Sequence, residues 1–567
     1  MASNVRISIL TAIVCIVPLI LIGCGILPSM PAYTAENESR EAHPEGRDLR
    51  PRIDVDRAEL APTVTPAVTG PFVGIAISGG GSRAAAFATG VLQELDKMGF
   101  LSNVTTISSV SGGGLPAAYF ALNGDQIKSE ADWEHFHALI RTPFRSKWLM
   151  RHLRPDNLLL NLVTDYDRSN TMAEVFDDVL FHNRTFGDLG KNGPRRPALL
   201  INATEIGLSE ARQFTFTGQH FIAALDSRLQ TYPLSRAVMA SAAFPGVFNA
   251  VTLKSFVTNP LRKEPLPPSY VHLIDGGPSD NLGVETLLAA ARAHRGAETR
   301  SNFACFLFVV DAYPPNAEPA VRFRRDPRDG PMDYLVDSNF MDAFDALLAR
   351  RREAALRDLG FQIEIRGAAD SPYADPAWPS RTNNFRGGFY AGEERLSRYV
   401  LPYQRVISVP LGRSNEASHL ENATCRVWHI AMSEVASIPY SVQDVPSVAG
   451  PLGEARDPVL VYRQRLWHMT SRMKTDFNLI GPANCSSNTL QLALRDSAYI
   501  LINEDDASRQ SACDWFKANF PTSTLSCGAR TAPLRTRDLN LSVDGGVHPN
   551  VAIKCGNQGP KQIRADG

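Results

Sequence analysis

A chain of 567 residues with 58 Lys and Arg against 59 Asp and Glu carries a formal net charge of −1. It therefore has no global field that would steer it toward nucleic acid or another polyanion. An apolar fraction of 44% with 21% charged residues excludes a mainly disordered chain, and the length suits one large domain plus an extension, or two domains.

Arg6 precedes an apolar, charge-free run from Ile7 to Ile22, followed by Gly23 and Cys24. A basic start before such a run describes an export signal. Leu21-Ile22-Gly23-Cys24 resembles the lipobox of bacterial lipoproteins, which implies removal of residues 1–23 and a lipid on the Cys24 thiol. The alternative is a single uncleaved span, since Ile7 to Pro28 approaches bilayer length. Both readings place the bulk of the chain in the cell envelope, outside the cytoplasm and held at a membrane. Residues 24–70 are rich in Pro, Glu, Arg and Thr without apolar periodicity, which predicts a flexible tether.

At Pro71 the pattern changes. Phe72–Ile77 reads as a buried strand, and Ala84–Met98 as a helix with Val91, Leu92 and Leu95 on one face. Val104–Val110 predicts a second strand and Leu115–Leu122 the helix after it. Further strand-like runs lie at Ala198–Ala203, Val271–Ile274 and Ala304–Asp311, with helical stretches at Leu234–Ala243 and Val284–Arg295. Alternation of this kind predicts an α/β fold: a three-layer α/β/α sandwich around a mainly parallel sheet. This catalytic domain is expected over 71–360. It ends in a long helix over Met332–Leu359, whose stripe of Phe340, Phe344, Leu347 and Leu348 should face the core. Residues 361–483, with strand-like Arg405–Pro410 and Arg426–Ala431, either complete that domain or cap it. Residues 484–567 form a cysteine-containing C-terminal extension.

Cys305 lies inside the apolar run Phe303–Val310 and reads as an inert core thiol. Cys425, Cys485, Cys513, Cys527 and Cys555 crowd the last quarter. The last four sit in polar, turn-rich sequence, where an oxidising compartment would allow three pairings. None has the C-x-x-C spacing of a zinc site.

Three motifs carry chemistry, each at a strand end. Gly79-Gly80-Gly81-Ser82-Arg83 joins a strand to a helix; its backbone N–H groups and the helix N-terminus suit an anion. Ala84 stands where a dinucleotide loop would have its third glycine, and the G-K-[ST] ending of a P-loop is missing. Ser109-Val110-Ser111-Gly112-Gly113 has the form of a nucleophile elbow with serine for the first glycine. Ser108 and Ser109 compete by residue type, but Ser111 stands at the strand-to-helix junction. Asp275-Gly276-Gly277 closes the run Val271–Ile274, and an Asp there can lean over the sheet edge toward a neighbouring elbow. Taken singly, these motifs also read as a Gly-rich turn before a helix and as an Asp-Gly β-turn.

Together they resemble the patatin-like phospholipase family, as do Ile201-Asn202-Ala203-Thr204-Glu205 and Ser241-Ala242-Ala243-Phe244-Pro245. The resemblance covers roughly residues 72–312. It implies a dyad in which Ser111 is nucleophile and Asp275 general base, with residues Gly79, Gly80, Gly81, Ser82 and Arg83 forming the oxyanion loop. Arg83 is expected to fix the loop rather than to contact substrate. The implied substrate is an acyl ester of a lipid, phospholipid or lysophospholipid being the family's usual range, and the implied chemistry needs no metal or organic cofactor. A hydrolase of non-lipid esters or peptides and a non-catalytic surface lipoprotein remain as other readings.

A Ser-His-Asp triad of the α/β type would place its histidine after the acid. His294, His419, His429, His468 and His548 follow Asp275, yet none stands in a recognisable loop after a strand. His272 should face away from Asp275, because side chains alternate along a strand. Asp544-Gly545-Gly546 repeats the acid motif after an alternating run and reads as a hairpin turn. The lipobox yields the first testable outcome: Cys24→Ala should abolish incorporation of radiolabelled palmitate and block maturation. Label incorporated as in the wild type would refute lipidation at Cys24.

Overall fold

The structure is a computed structural model describing residues 70–164, 166–189, 197–207, 212–256, 269–297, 303–313, 338–361, 405–411, 423–435 and 485–528. It also describes much of 462–481, residue 438 and short strands at 448–449, 455–456, 541–544 and 552–555. The signal, Cys24 and the tether lie outside these residues, as do His419, His468, His548, Gly545 and Gly546.

Nine strands form the main sheet: β1 (Phe72–Ile77), β2 (Thr106–Val110), β3 (Ala198–Ile206), β4 (Arg212–Thr215), β5 (Val251–Ser255), β6 (Ser269–Ile274), β7 (Cys305–Asp311), β8 (Val406–Pro410) and β9 (Thr424–Ala431). Their order is β5-β6-β3-β2-β1-β7-β9-β8, with β4 paired to β3 off this path. The five strands β3, β2, β1, β7 and β9 run parallel. The flanks are antiparallel, where β6 meets β3, β5 meets β6 and β8 meets β9.

Both faces of the sheet are covered, so the central strands are apolar throughout rather than alternating. On one face Val73, Ile75 and Ile77 of β1 and Phe306, Phe308 and Val310 of β7 join the main core. That core includes helices α1 (Gly81–Lys97), α2 (Gly114–Asn123) and α3 (Glu130–Ile140). On the other face Phe72 and Ala76, with Leu307 and Val309, pack under α8 (Val284–Ala297) and the end of α9 (Ser338–Asp358). A Cβ on Gly74 would press within 2.7 Å of Leu287, so the bare backbone there lets α8 settle onto β1. The remaining long helices are α4 (Phe144–His152), α5 (Pro155–Val163), α6 (Arg168–Phe176), α7 (Leu234–Ser241), α10 (Ser487–Tyr499) and α11 (Asp506–Asn519).

Two sequence expectations need correction. Cys305 is not a free thiol: it is bonded to Cys425 across the adjacent strands β7 and β9. The pairing spans 120 residues, and closing a loop of that length contributes about 5 kcal/mol in a chain-entropy account. An apolar run hides such a partner because the second cysteine arrives from a strand far along the chain. Leu347, placed in the core-facing stripe, is 62% exposed, whereas Leu348 approaches Gly277. Adjacent helical positions differ by about 100° in direction, and here the sheet-facing side of α9 takes Leu348 and leaves Leu347 outside. Phe340 and Phe344 have side chains outside the described set.

The C-terminal helices share the main core. Gly90 of α1 faces α10, where a Cβ would sit 3.2 Å from Ala498 and 3.3 Å from the Arg495 backbone. Phe516 of α11 stacks among Phe100, Phe306 and Phe308, with ring centroids 4.4–6.0 Å away. Cys513 is bonded to Cys527, and Cys485 is disulfide-bonded as well. Because Phe516 bridges α11 to β7, Phe516→Ala should cost about 3–5 kcal/mol. Urea denaturation should show that loss in one cooperative transition. Separate melting of the C-terminal helices would contradict a shared core.

Candidate active site

The elbow is built from a strand that stops and a backbone that turns left. Val110 is extended at φ −134°, and Ser111 follows at φ +50° before the turn Ser111–Gly113 and helix α2. A left-handed serine costs roughly 1–3 kcal/mol and needs the surroundings to hold it. The hold is Ser241 at the end of α7. The Ser111 N–H donates to the Ser241 hydroxyl at 2.8 Å, and that hydroxyl donates to the Asn202 carbonyl at 2.5 Å. Asn202 in turn donates through Nδ2 to Ser108 Oγ and to the Ser109 carbonyl, at 2.9 and 3.1 Å. Ser108 and Ser109 are thus buried in the sheet's bonding, while Ser111 alone turns out of the strand.

The first glycine loop lies directly against this elbow. A Cβ on Gly112 would collide with the Gly81 carbonyl, and one on Gly113 with the Ser78 carbonyl. Within the loop the backbone donors are unequally committed. Gly79 donates to the Asn281 carbonyl at 3.0 Å and Ser82 to the Asp476 carbonyl at 2.6 Å. The amides of Gly80 (φ +135°) and Gly81 (φ +57°) donate to no described group. Both stand at the N-terminus of α1, where the helix dipole favours negative charge. Of the five loop residues, then, Gly80 and Gly81 present open donors and Gly79 and Ser82 serve the frame. Arg83 is buried, and its guanidinium donates to the Ala312 and Met473 carbonyls at 3.0 and 2.9 Å. It pins the loop between the end of β7 and the C-terminal region.

Asp275 arrives by a route the motif alone does not reveal. Its strand, β6, runs antiparallel to β3 and is separated from β2 by β3. The crossing is made by close backbone contact: Asp275 N–H donates to Ala243, Gly276 N–H to Ser241, and a Cβ on Gly276 would collide with the Asn202 carbonyl. The Ser111 side chain lies near enough to the Asp275 carboxyl to lower it, and the Gly277 N–H donates to Asp275 Oδ1 at 2.9 Å. Burial raises the carboxyl, the Ser111 side chain and the Gly277 N–H pull it partly back, and the balance leaves it at about 6.

Among the described residues no histidine hydrogen-bonds Ser111 or Asp275. His272 bonds Thr252 at 2.8 Å and His294 the Gly70 carbonyl at 2.9 Å. His429 bonds Asp311 Oδ2 at 2.9 Å, beside Arg352 Nε at 2.6 Å. Although burial acts to raise the Asp311 carboxyl, Arg352 and His429 hold it well below the usual carboxylate range. Asp544 of the repeated motif lies in a separate two-stranded sheet.

The sequence motifs containing Asn202 and Ser241 did not disclose that these two residues brace the elbow. Asp280 was also unassigned; it accepts from the N–H groups of Gly283 and Glu285 at 2.9 and 2.8 Å and so caps α8. Asp476 had no signal at all, since its contact with the glycine loop is made by its backbone carbonyl from a remote segment. A cleft of about 750 Å³ near Tyr119, Lys147 and Arg184 includes none of the site residues.

Residues 75–288 match a family model described as patatin-like phospholipase. No curated protein matches the sequence. Among solved structures, human GIVD cytosolic phospholipase A2 aligns at 13% identity and a TM-score of 0.41, covering 81% of this chain and 60% of that one. VipD from Legionella pneumophila aligns at 13% identity and TM-score 0.20, over 54% of this chain and 58% of that. ExoU of Pseudomonas aeruginosa, in its complex with SpcU, aligns at 15% identity and TM-score 0.21, over 80% and 89%. The chain thus spans about three fifths of the length of the human enzyme. The stretch that matches the patatin-like phospholipase model, residues 75–288, contains the glycine loop, the serine elbow and the Asp-Gly-Gly turn.

Proposed function

We propose that this chain is a lipid acyl hydrolase working through a Ser111–Asp275 dyad. The observation that carries the reading is the Ser111 hydroxyl itself. It stands on a left-handed turn, next to a buried carboxyl and beside two open backbone donors. Asp275 takes the hydroxyl proton as Ser111 Oγ adds to an ester carbonyl. The carbonyl oxygen becomes an anion held by the Gly80 and Gly81 N–H groups, a kind of donor whose loss typically costs about 10²–10³ in turnover. Collapse of the tetrahedral species breaks the ester bond, and the proton on Asp275 passes to the departing alkoxide. Water, deprotonated by Asp275, then attacks the acyl-serine and the same steps return the acid and free Ser111. A carboxylate raised to about 6 is a better base than an ordinary aspartate and is still ionised at neutral pH.

The lipid substrate is supported by the match of residues 75–288 to the patatin-like phospholipase model. The N-terminal part of the proposal, a lipid on Cys24 holding the enzyme on an envelope membrane, is supported by the signal and lipobox pattern.

Residues acting as one catalytic unit are non-additive. Ser111→Ala and Asp275→Asn should each abolish turnover of a phospholipid or a soluble ester, and the double variant should be no worse than either. A fluorophosphonate probe should label Ser111 in the wild type and not in Ser111→Ala. The activity of the wild type should fall as pH drops through about 6, where Asp275 protonates. Turnover lost as completely in a folded His272→Ala or His294→Ala variant would replace the dyad with a histidine triad. Absence of both labelling and turnover would leave a non-catalytic surface protein.

The same carboxylate makes a stability prediction with a definite sign. Its folded value lies above the unfolded one, so the native state is destabilised as pH rises from about 4 to 6, by about 3 kcal/mol in total. Asp275→Asn should therefore melt higher than the wild type at pH 8, with the gap closing toward pH 4. A variant that melts lower at pH 8 would mean that the charge is stabilised there.

A further inference from the structure

Helices α4 and α5 carry an apolar surface that no described residue covers. Met150 is 75% exposed, Leu159 60% and Leu153 57%, with Leu149, Leu158 and Leu160 also exposed. Exposed apolar residues are normally scattered singly, and six within the twelve positions 149–160 form a patch. Three consecutive exposed leucines are not the spacing of a core-facing helix. Nor are the helices loosely attached. Phe144 is buried against Phe176, Asn157 is buried and donates to the Arg151 carbonyl at 2.8 Å, and Trp148 Nε1 donates to the Arg168 carbonyl at 2.9 Å. The inner side fixes the pair and leaves the leucines outside.

The charge of this segment departs from that of the chain. Residues 141–163 hold Arg141, Arg145, Lys147, Arg151 and Arg154 against Asp156 alone, within a protein of net charge −1. Arg145 is paired with Asp476, Arg151 with Glu174 and Asp178, and Arg154 with Asp156, each with its guanidinium partly exposed, while Lys147 is exposed. Exposed leucines beside a basic rim are what a helix lying in the headgroup region of an anionic membrane requires. The pair is also coupled to the site. Arg145 donates its N–H to the Phe477 carbonyl at 3.2 Å and pairs with Asp476, whose carbonyl accepts from Ser82 in the glycine loop.

We propose that α4 and α5 form a docking face that lays the protein on a lipid surface with anionic headgroups, bringing the Ser111 site to the esters in that surface. For its substrate this rests on the hydrolase reading; the docking is a separate property with its own test. An N-terminal lipid would hold the chain on vesicles whatever α4 and α5 do, so the readout has to be local. Amide hydrogen exchange is followed in the full chain carrying Ser111→Ala, so that vesicles are not consumed. The comparison is between no vesicles, phosphatidylcholine vesicles, and vesicles of phosphatidylcholine with phosphatidylglycerol. Peptides within 144–163 should exchange about tenfold more slowly on the anionic vesicles, with much less effect from phosphatidylcholine alone. Adding Met150→Glu and Leu159→Glu should abolish that protection.

No protection on anionic vesicles, or protection that survives both glutamates, would overturn the proposal. So would protection already present without vesicles, together with a lower melting temperature or a lower association state in the glutamate variant. That outcome would mean the face is covered by another segment of the chain or by a second copy. Turnover of a monomeric soluble ester by the protein with Ser111 intact reports the catalytic reading independently. Its absence would sink that reading while the exchange result still decides the docking.

Discussion

The close approach of Gly112 to the Gly81 carbonyl is the constraint on which the site depends. It presses two strand-to-helix turns together at the ends of β1 and β2, so that the open amides of one lie beside the serine of the other. Any side chain at Gly112 or Gly113 would force them apart. The arrangement stores strain at Ser111, a non-glycine residue at positive φ, and the surroundings hold it. Ser241 takes the Ser111 amide, Asn281 takes that of Gly79, and Asp476 takes that of Ser82. The frame uses up the amides of Gly79 and Ser82 and, among the described residues, leaves those of Gly80 and Gly81 open.

A second constraint is the burial of Asp275. An isolated carboxylate in that position is destabilising, and the Gly277 N–H and the nearby Ser111 side chain only partly compensate. Asp311, equally buried at the end of β7, shows the contrast: Arg352 and His429 keep it ionised, and it anchors α9. Two buried aspartates at strand ends therefore have opposite characters. The one without a cation beside it is able to accept a proton near neutral pH, which suits the role proposed for it.

The region after residue 360, which resembled nothing, is bound into this machinery. Cys425 ties β9 to β7, Phe516 fills the aromatic core under β7, and the Met473 and Asp476 carbonyls fix Arg83 and the start of α1. The glycine loop is thus held on one side by the elbow and on the other by chain almost 400 residues away. Arg145, on a helix with a basic and apolar outer face, meets the same Asp476.

The sequence by itself determined the strands, the helices on both sheet faces and the three motifs at strand ends. These are local features, since a buried strand needs a continuous apolar run and a tight turn needs glycine within a few residues. It also separated Ser111 from Ser108 and Ser109, because only Ser111 stands where the strand must turn. Only the tertiary structure decided the antiparallel course of β6, the disulfide between Cys305 and Cys425, and the bracing of the elbow by Asn202 and Ser241. It also selected Gly80 and Gly81 from five loop residues as the open donors. Each of these depends on which backbone group lies opposite another across tens to hundreds of residues. Local periodicity carries no record of that, because a hydrogen-bond partner is chosen by proximity after folding and not by spacing along the chain.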